Sequence, residues 1–590
     1  MKWKTLAFWL FVFTGIYFFF CSFNPYFYGR QEEVQLFFPE CKIIWEMLRE
    51  PSGFCTVLGQ AIVQYYPDLS VALIINSFLL CTIGFLCYSL LQEIAPRVYN
   101  LFLALVPVFG LMKVHIRSEY VLDGTIGLCL MMLLLYVFVR VRKVRTRFWY
   151  GIGSTVALYL LAGQLAALYG ILLVVLSYLC GREKWYHLFV ALLAGVALTY
   201  AGIRLAICIP LTDGIYSEHY QEVQMQPDSY IYFVWIRFTL LLFILLLIGT
   251  GMKYLPWNKF FQKVIVTGCT VVVLFFFSSF CLPNQYDVQN MLMDKLSDLQ
   301  QKGNWDAIIR MHQGKKLRNY ISLNYLNMAL AQKGCLGDEL FHYDQRGSLS
   351  LLASWNRTYY MSCLLSDIHY MIGDISLSEG YAMEGLTLAK RGGSPRMLQR
   401  LVKISLIRND FDLANKYLDI LDRLPHYRRW AEIYEDYVYH PERIKQDKEL
   451  STKTLSSSRP DNLLCLIELD SLWMGHIEES VTNRIAWEYL GCSYLLAKEM
   501  GKFKAFLLRT GQLPEGQSLP VHFQEAALVL AVEDVSILDT VPVRTEILQR
   551  YKQFQKDILK IKNSSDGFAW LYQQYGDTFW FYYYCKKLNG

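Results

Sequence analysis

The placement of long apolar runs constrains this chain more than any other feature. Before Pro283 they follow one another at membrane-spanning length, and after it none reaches the ~18 residues that a span needs. One chain therefore meets two solvents. Of its 590 residues 54% are hydrophobic and only 18% charged, too apolar for a soluble chain of this length. Backbone amides in hydrocarbon have no water to bond, so each run is read as a helix. The expected spans are 5–22, 70–91, 99–113, 121–140, 148–163, 165–180, 187–209, 230–252 and 262–281.

Positive charge sets the direction of these spans. As one helix, Phe148 to Cys180 would rise ~50 Å against a hydrocarbon core of ~30 Å. Arg140, Arg142, Lys143, Arg145 and Arg147 precede it and Arg182 and Lys184 follow it. If both clusters stay cytoplasmic, the stretch turns back around Gly163. Lys2, Lys4, Arg97, Lys253, Lys259 and Lys263 fall on the same side. The N-terminus is then cytoplasmic, while loop 23–69, turn 114–120, loop 210–229 and everything after Cys281 lie outside. The first segment has a basic start and no small-residue cleavage site, so it reads as a retained anchor.

From about Asn284 the pattern becomes amphipathic helices of about 12–15 residues without strand alternation. Turn marks at Gly303-Asn304, Gly334, Gly373-Asp374 and Asn409-Asp410 are spaced 31, 39 and 36 residues apart. That is near the period of about 34 of tetratricopeptide (TPR) repeats. Arg396 to Leu424 is the best single unit. The polar, Ser-rich segment 440–462 reads as a loop or flexible insertion, and repeats resume near Ala486 with a turn at Gly501. The expected fold is all-α: a polytopic transmembrane bundle of about nine spans over 1–282, then a soluble TPR-like repeat domain over 283–590. The aromatic tail from Phe568 to Tyr584 either rests at a membrane interface or forms a capping helix.

Polar groups near the membrane are costly, so those facing outward are the candidates for chemistry. Glu32 and Glu33, in the first outer loop, offer a carboxylate as general base for an acceptor hydroxyl; they read equally as solvated charges or partners of Arg30. Arg204 and Arg237 sit in apolar segments on the outer-leaflet side, where a guanidinium fork suits a lipid phosphate or snorkels to headgroups. The turn after the third span adds Arg117, His115, Glu119 and Tyr120, with Asp123 just inside the next span.

Several classes have no sequence support. P-loop, HExxH, CxxC, GxSxG and Rossmann patterns do not occur, so no metal-ligating residues are named and no cofactor is indicated. Nine of the fifteen cysteines precede Cys281 in or beside apolar segments, and five scattered ones follow it. The net charge of +6 comes from residues between spans, so nucleic acid is not an expected partner; the lipid bilayer is.

The stretches Arg30-Gln-Glu-Glu-Val-Gln-Leu-Phe37, Arg49-Glu-Pro-Ser-Gly-Phe54 and Gln60-Ala-Ile-Val-Gln-Tyr-Tyr-Pro67 resemble an uncharacterised family of bacterial multi-span proteins. So do Asn324-Tyr-Leu-Asn-Met-Ala-Leu-Ala331 and Gly576-Asp-Thr-Phe-Trp-Phe-Tyr-Tyr583 in the tail. More distantly, the layout looks like the C-type glycosyltransferases (GT-C), which take sugars from polyprenyl-phosphate lipids and carry a catalytic acid in the first outer loop. That resemblance implies Glu32 or Glu33 as the acid, here Glu-Glu in place of the commoner Asp or Asp-Glu. It implies a polyprenyl-phosphate sugar donor held by Arg237, Arg204 and Arg117, in a bacterial inner membrane with the tail periplasmic. The competing expectation is a non-catalytic scaffold whose repeats gather envelope proteins. A transporter is a third, with only the two arginines inside spans.

Overall fold

In a computed structural model the chain is helical. The structure describes residues 2–23, 25–97, 99–117, 120–180, 188–202, 204, 234–253, 264, 267–268, 270–272, 275–279, 285–314, 319–389, 391–454, 483–510, 518–561 and 567–586. Among them the one extended pairing is an isolated bridge between Gln35 and Arg391. The chain divides into two compact units. The first comprises Met1–Met291 with Lys390–Gly392 and Arg423–Tyr427, and the second Leu292–Ala389, Gly393–Asp422 and Arg428–Gly590. The division between the units falls at 291/292, inside the helix Gln285–Gln301.

The first unit opens with α1 (Lys2–Phe23), then α2 (Phe27–Glu32), α3 (Cys41–Leu48) and α4 (Gly53–Val63), so loop 23–69 is largely helical. Next come α5 (Leu69–Ile94), the short α6 (Asn100–Leu103), α7 (Leu105–His115), α8 (Leu122–Arg140), α9 (Val144–Ala162), α10 (Leu165–Cys180), α11 (Phe189–Ala201) and α12 (Val234–Lys253). Among the described residues four stretches, against the nine expected, are helices long and apolar enough to cross a membrane: Trp3–Phe23, Leu69–Ile94, Leu122–Arg140 and Val234–Gly251. The other expected spans fall short for local reasons. Arg145 and Arg147 occupy the first turn of α9, the described part of α11 has 13 residues, and the Asn100–His115 segment has 16. Parts of 187–209, 230–252 and 262–281 lie outside the described residues.

The expected reversal at Gly163 is present. Gly163 caps α9 at φ +59° and ψ −127°, a conformation that only glycine adopts without strain, and α10 starts two residues later. Within the bundle α8 is central, packing on α4, α5, α9 and α10, with Leu128, Met131, Met132, Leu135 and Phe138 fully buried. α1 packs on α5 and leaves most of its surface exposed.

In the second unit the helices Tyr359–Ile372 and Ile375–Leu388 pack as a hairpin, as do Pro395–Ile407 and Phe411–Asp422, and the second helix of each hairpin also packs on the next helix in the chain. The turn chemistry read from sequence is what stops and restarts these helices. Gly303, Gly373 and Asn409 take positive φ, and the next residue then caps a helix: Asn304 accepts from Ala307 N at 3.2 Å, Asp374 from Leu377 N at 3.0 Å and Asp410 from Leu413 N at 3.1 Å.

Three local expectations fail. After Gly334 the chain forms only the short helix Leu336–Glu339 and single 3₁₀ turns up to Tyr359. Buried Asn324 and Asn327 bond the backbone of Leu349, Ala353 and Ser350 at 2.8, 3.0 and 2.9 Å, satisfying polar groups that a helix would satisfy internally. The turn placed at Gly501 is at Lys498, at φ +59°, and Gly501 lies in the helix Met500–Thr510. Segment 440–462 begins as a 3₁₀ helix, Pro441–Lys445, and a helix, Lys448–Thr454, because Asp447 caps Glu449 and Leu450 N at 2.8 Å and Ile444 and Leu450 are buried. Residues 455–462 lie outside the described residues.

The closing helix Phe579–Cys585 buries Phe579, Trp580, Phe581 and Tyr582, as a capping helix does; Phe568, Trp570, Tyr572 and Tyr584 are exposed.

Candidate functional site

The first unit collects buried polar side chains where loop 23–69 meets the turn between α7 and α8. α2 packs on α4 and α5 and buries Phe27, Tyr28, Arg30 and Glu32. Beyond it, buried Gln35 donates to Gln60 O at 3.1 Å and buried Gln64 to Phe37 O at 3.3 Å, so side-chain amides satisfy the loop backbone. Gln31 donates to Tyr120 O at 2.7 Å and ties this loop to the turn between α7 and α8.

That turn opens a buried relay of hydrogen bonds. Tyr120 Oη meets Thr125 Oγ1 at 2.7 Å, Thr125 Oγ1 meets His115 Nε2 at 2.7 Å, His115 Nδ1 meets Asn76 Oδ1 at 2.9 Å, and Asn76 Nδ2 donates to Tyr66 Oη at 2.7 Å. All five residues are buried. Every link is short, so the relay fixes α5, α7 and α8 to one another at this depth.

Two buried carboxyls belong to this loop and this turn. Asp123, in the first turn of α8, gains from the partial positive charge of that helix end. It fits because α4 has a glycine opposite: a Cβ on Gly59 would lie 1.9 Å from Asp123 Oδ1. Arg391 donates to Asp123 Oδ1 at 3.2 Å and Oδ2 at 2.5 Å, a two-pronged pair. The backbone of Arg391 is itself held, its oxygen accepting from Leu36 N at 2.8 Å and its N–H donating to Val34 O at 3.3 Å. A cavity of about 20 Å³, room for about one water, lies among Gln31, Val34, Gln35, Val63, Tyr120 and Arg391.

Glu32 is the second carboxyl, 4% exposed, and its Oε2 accepts from Tyr427 Oη at 2.6 Å. Burial pushes it up to about 8; the Tyr427 hydrogen bond works against this and the neighbouring Glu33 adds to it. Nearby, exposed Glu40 pairs with Arg423 at 3.0 Å.

The raised Glu32 makes stability depend on pH. Between its ordinary 4.5 and about 8 the folded chain keeps a proton that the unfolded chain has released, so stability falls as pH rises through that window. Glu32→Gln removes this titration. Its unfolding midpoint is expected to gain on the parent steadily from about pH 5 to about pH 9. A difference that stays constant across a pH series of melting curves contradicts the assignment.

The structure gathers some of the expected residues and separates others. Glu32, His115, Arg117 and Tyr120 are buried in this region and Glu33 is half-buried. Glu119 lies outside the described residues. Arg237 is exposed on α12, where it lines a different, apolar cavity of about 380 Å³ with Pro107, Gly110, Leu111 and Val114 of α7 and Phe276. Arg204 is also exposed. Sequence reasoning missed Arg391, Tyr427, Asn76 and Tyr66. Asn76, a polar residue inside a span-length apolar run, carries a local signal; Arg391 and Tyr427, 268 and 395 positions from their partners, carry none. Among the described residues no group of three or more His, Cys, Asp or Glu side chains is placed to hold a metal ion.

A family model with the description "Family of unknown function (DUF6057)" matches residues 1–586. No curated protein and no solved structure matches the chain.

Proposed function

The chain belongs to the family of unknown function DUF6057, and from that premise we propose that it is a GT-C-like membrane glycosyltransferase moving a sugar from a polyprenyl-phosphate donor to an envelope acceptor. One observation carries the reading: Glu32, in the first loop, is a buried carboxyl whose proton affinity is raised to about 8 and whose loop is tied through Gln31 to the turn that bears His115, Arg117 and Tyr120. A base matched to neutral pH is what hydroxyl activation needs.

In this scheme the deprotonated form of Glu32, a fraction that grows as pH approaches about 8, takes the proton of the acceptor hydroxyl as that oxygen attacks the anomeric carbon. The bond from that carbon to the lipid phosphate breaks, and polyprenyl phosphate leaves. Tyr427 Oη, 2.6 Å from Glu32, holds the position of such a hydroxyl and gives way to the acceptor. Glu33 adds negative charge beside the base and so strengthens its hold on the proton. The apolar cavity between α7 and α12 suits an isoprenoid chain, with Arg237 at the phosphate and Arg204 and Arg117 assisting. The shorter apolar helices complete a bundle of about nine spans in a bacterial inner membrane, N-terminus cytoplasmic. The helix hairpins of the second unit are TPR-like repeats in the periplasm.

A second reading, a non-catalytic scaffold for envelope proteins, has its own support. Both acids are already engaged, Glu32 by Tyr427 and Asp123 by Arg391, and Arg237 lines a separate cavity. The double variant Glu32→Gln, Glu33→Gln decides between the two. With the protein at normal membrane abundance, the enzyme reading expects lipid-linked sugar to accumulate and surface glycan to be lost. Unchanged pools and glycans would leave the scaffold.

A further inference from the structure

We infer that α3 and α4 form an interfacial platform, lying on the bilayer surface with their apolar faces at the boundary between headgroups and acyl chains. None of the eight residues of α3 is buried: Trp45 and Leu48 are exposed, and Ile43, Ile44 and Met47 are half-buried. At helical spacing, Ile43, Ile44, Met47 and Leu48 share one side and Trp45 borders it, whereas Lys42 and Glu46, one turn apart, mark the other. Trp45 is 61% exposed, a large ring with no protein around most of it. A helix of this length rises ~12 Å, far less than a bilayer core, so it lies along a surface and does not cross one.

α4 repeats the pattern. It turns Cys55, Gly59, Gln60 and Val63 inward and packs on α8 and α9, while Phe54 and Leu58 on its other side are exposed, and Tyr65 just beyond its end continues their line. The occupant of these faces is set by continuity. The chain reaches α3 from α1 by way of the buried α2 and leaves α4 directly into α5; α1 and α5 are both span-length, and α5 exposes Ile74, Phe78 and Phe85 at the same helical spacing. The surface that lipid must cover on α1 and α5 therefore runs on into α3 and α4. Tryptophan at such a boundary is favourable, since its apolar body and polar N–H suit the two sides. Lys42 and Glu46 cancel, so apolar burial and not headgroup charge holds the platform, and uncharged lipid suffices. The platform stands immediately after the Glu32 loop and fixes that loop at the membrane surface whatever reaction, if any, occurs there.

Photo-crosslinking of the full chain in phosphatidylcholine nanodiscs tests this. A benzophenone side chain is placed in turn at Trp45, Leu48, Leu58 and, as the opposite face, Glu46. The expected result is lipid adducts by mass spectrometry from the first three, with a several-fold lower yield from position 46. Peptide adducts from this chain, from a second copy or from another protein at those three positions would overturn the inference, as would equal lipid yield at 46. The unsubstituted chain gives an independent reading: brominated phosphatidylcholine should quench a tryptophan component that Trp45→Phe removes, and no difference between the two chains contradicts the inference.

Discussion

Asp123→Ala is expected to destabilise the first unit by about 3–5 kcal/mol, the cost of removing one partner from a buried charge pair. The pair is a buried one: the Asp123 side chain has no exposed surface and Arg391 has 13%. Arg391 cannot readily swing its guanidinium into water, because its own N–H and carbonyl are bonded to Val34 and Leu36. Loss of the carboxylate would thus leave a cation among Val34, Val63 and Val121. The paired replacement Asp123→Leu with Arg391→Met should recover most of the loss, since an apolar pair of similar volume carries no desolvation cost. A double-mutant cycle read by denaturation in detergent checks both statements. A single-variant cost below about 1 kcal/mol would class the pair with exposed salt bridges. Gly59→Ala should act in the same direction by displacing the Asp123 carboxylate, with no change of charge.

What the sequence revealed and what it hid divide by distance along the chain. The reversal at Gly163 was legible because helix length, bilayer thickness and flanking arginines are all local quantities. The caps at Asn304, Asp374 and Asp410 were legible for the same reason: a residue at positive φ followed by a short polar side chain is helix punctuation whatever surrounds it. The turn near Gly501 lies three residues earlier because Lys498 adopts the left-handed conformation that glycine usually takes. Segment 440–454 looked polar and loose, yet two residues, Ile444 and Leu450, suffice to anchor it once Asp447 caps the backbone.

The candidate site was half legible on the same grounds. Glu32, His115, Arg117 and Tyr120 announce themselves as polar groups beside apolar runs, and the fold does bury them. Their present partners do not, because Asp123 meets Arg391 and Glu32 meets Tyr427 only after hundreds of intervening residues have folded. Arg237 shows the opposite failure. The GT-C resemblance implies one site for Arg237 and Glu32, whereas consecutive residues of α7 point to different environments: Val114 lines the Arg237 cavity and His115 joins the relay. About a hundred degrees of helical rotation separates the two.

Trp580→Ala is expected to cost the second unit about 3–5 kcal/mol, the range for deleting a fully buried large aromatic. Trp580 has no exposed surface and lies against Tyr551 and Phe554 at ring distances of 5.2 and 6.1 Å. The turn before it is held from two sides: Thr578 caps Phe581 N at 3.3 Å, and Glu525 Oε2 accepts from Phe579 N at 2.7 Å. With the backbone pinned there, the surrounding rings cannot collapse into the vacated volume, so the cavity persists and the full cost is felt. Trp580→Phe separates packing from polarity. The indole N–H of Trp580 is buried and meets no acceptor among the described residues, so phenylalanine removes a desolvated donor while keeping most of the ring contact. Its cost should be a minor fraction of the alanine cost. Equal losses in the two variants, measured on the transition of the second unit, would mean that the N–H is satisfied and that the last helix is held by a hydrogen bond as well as by its rings.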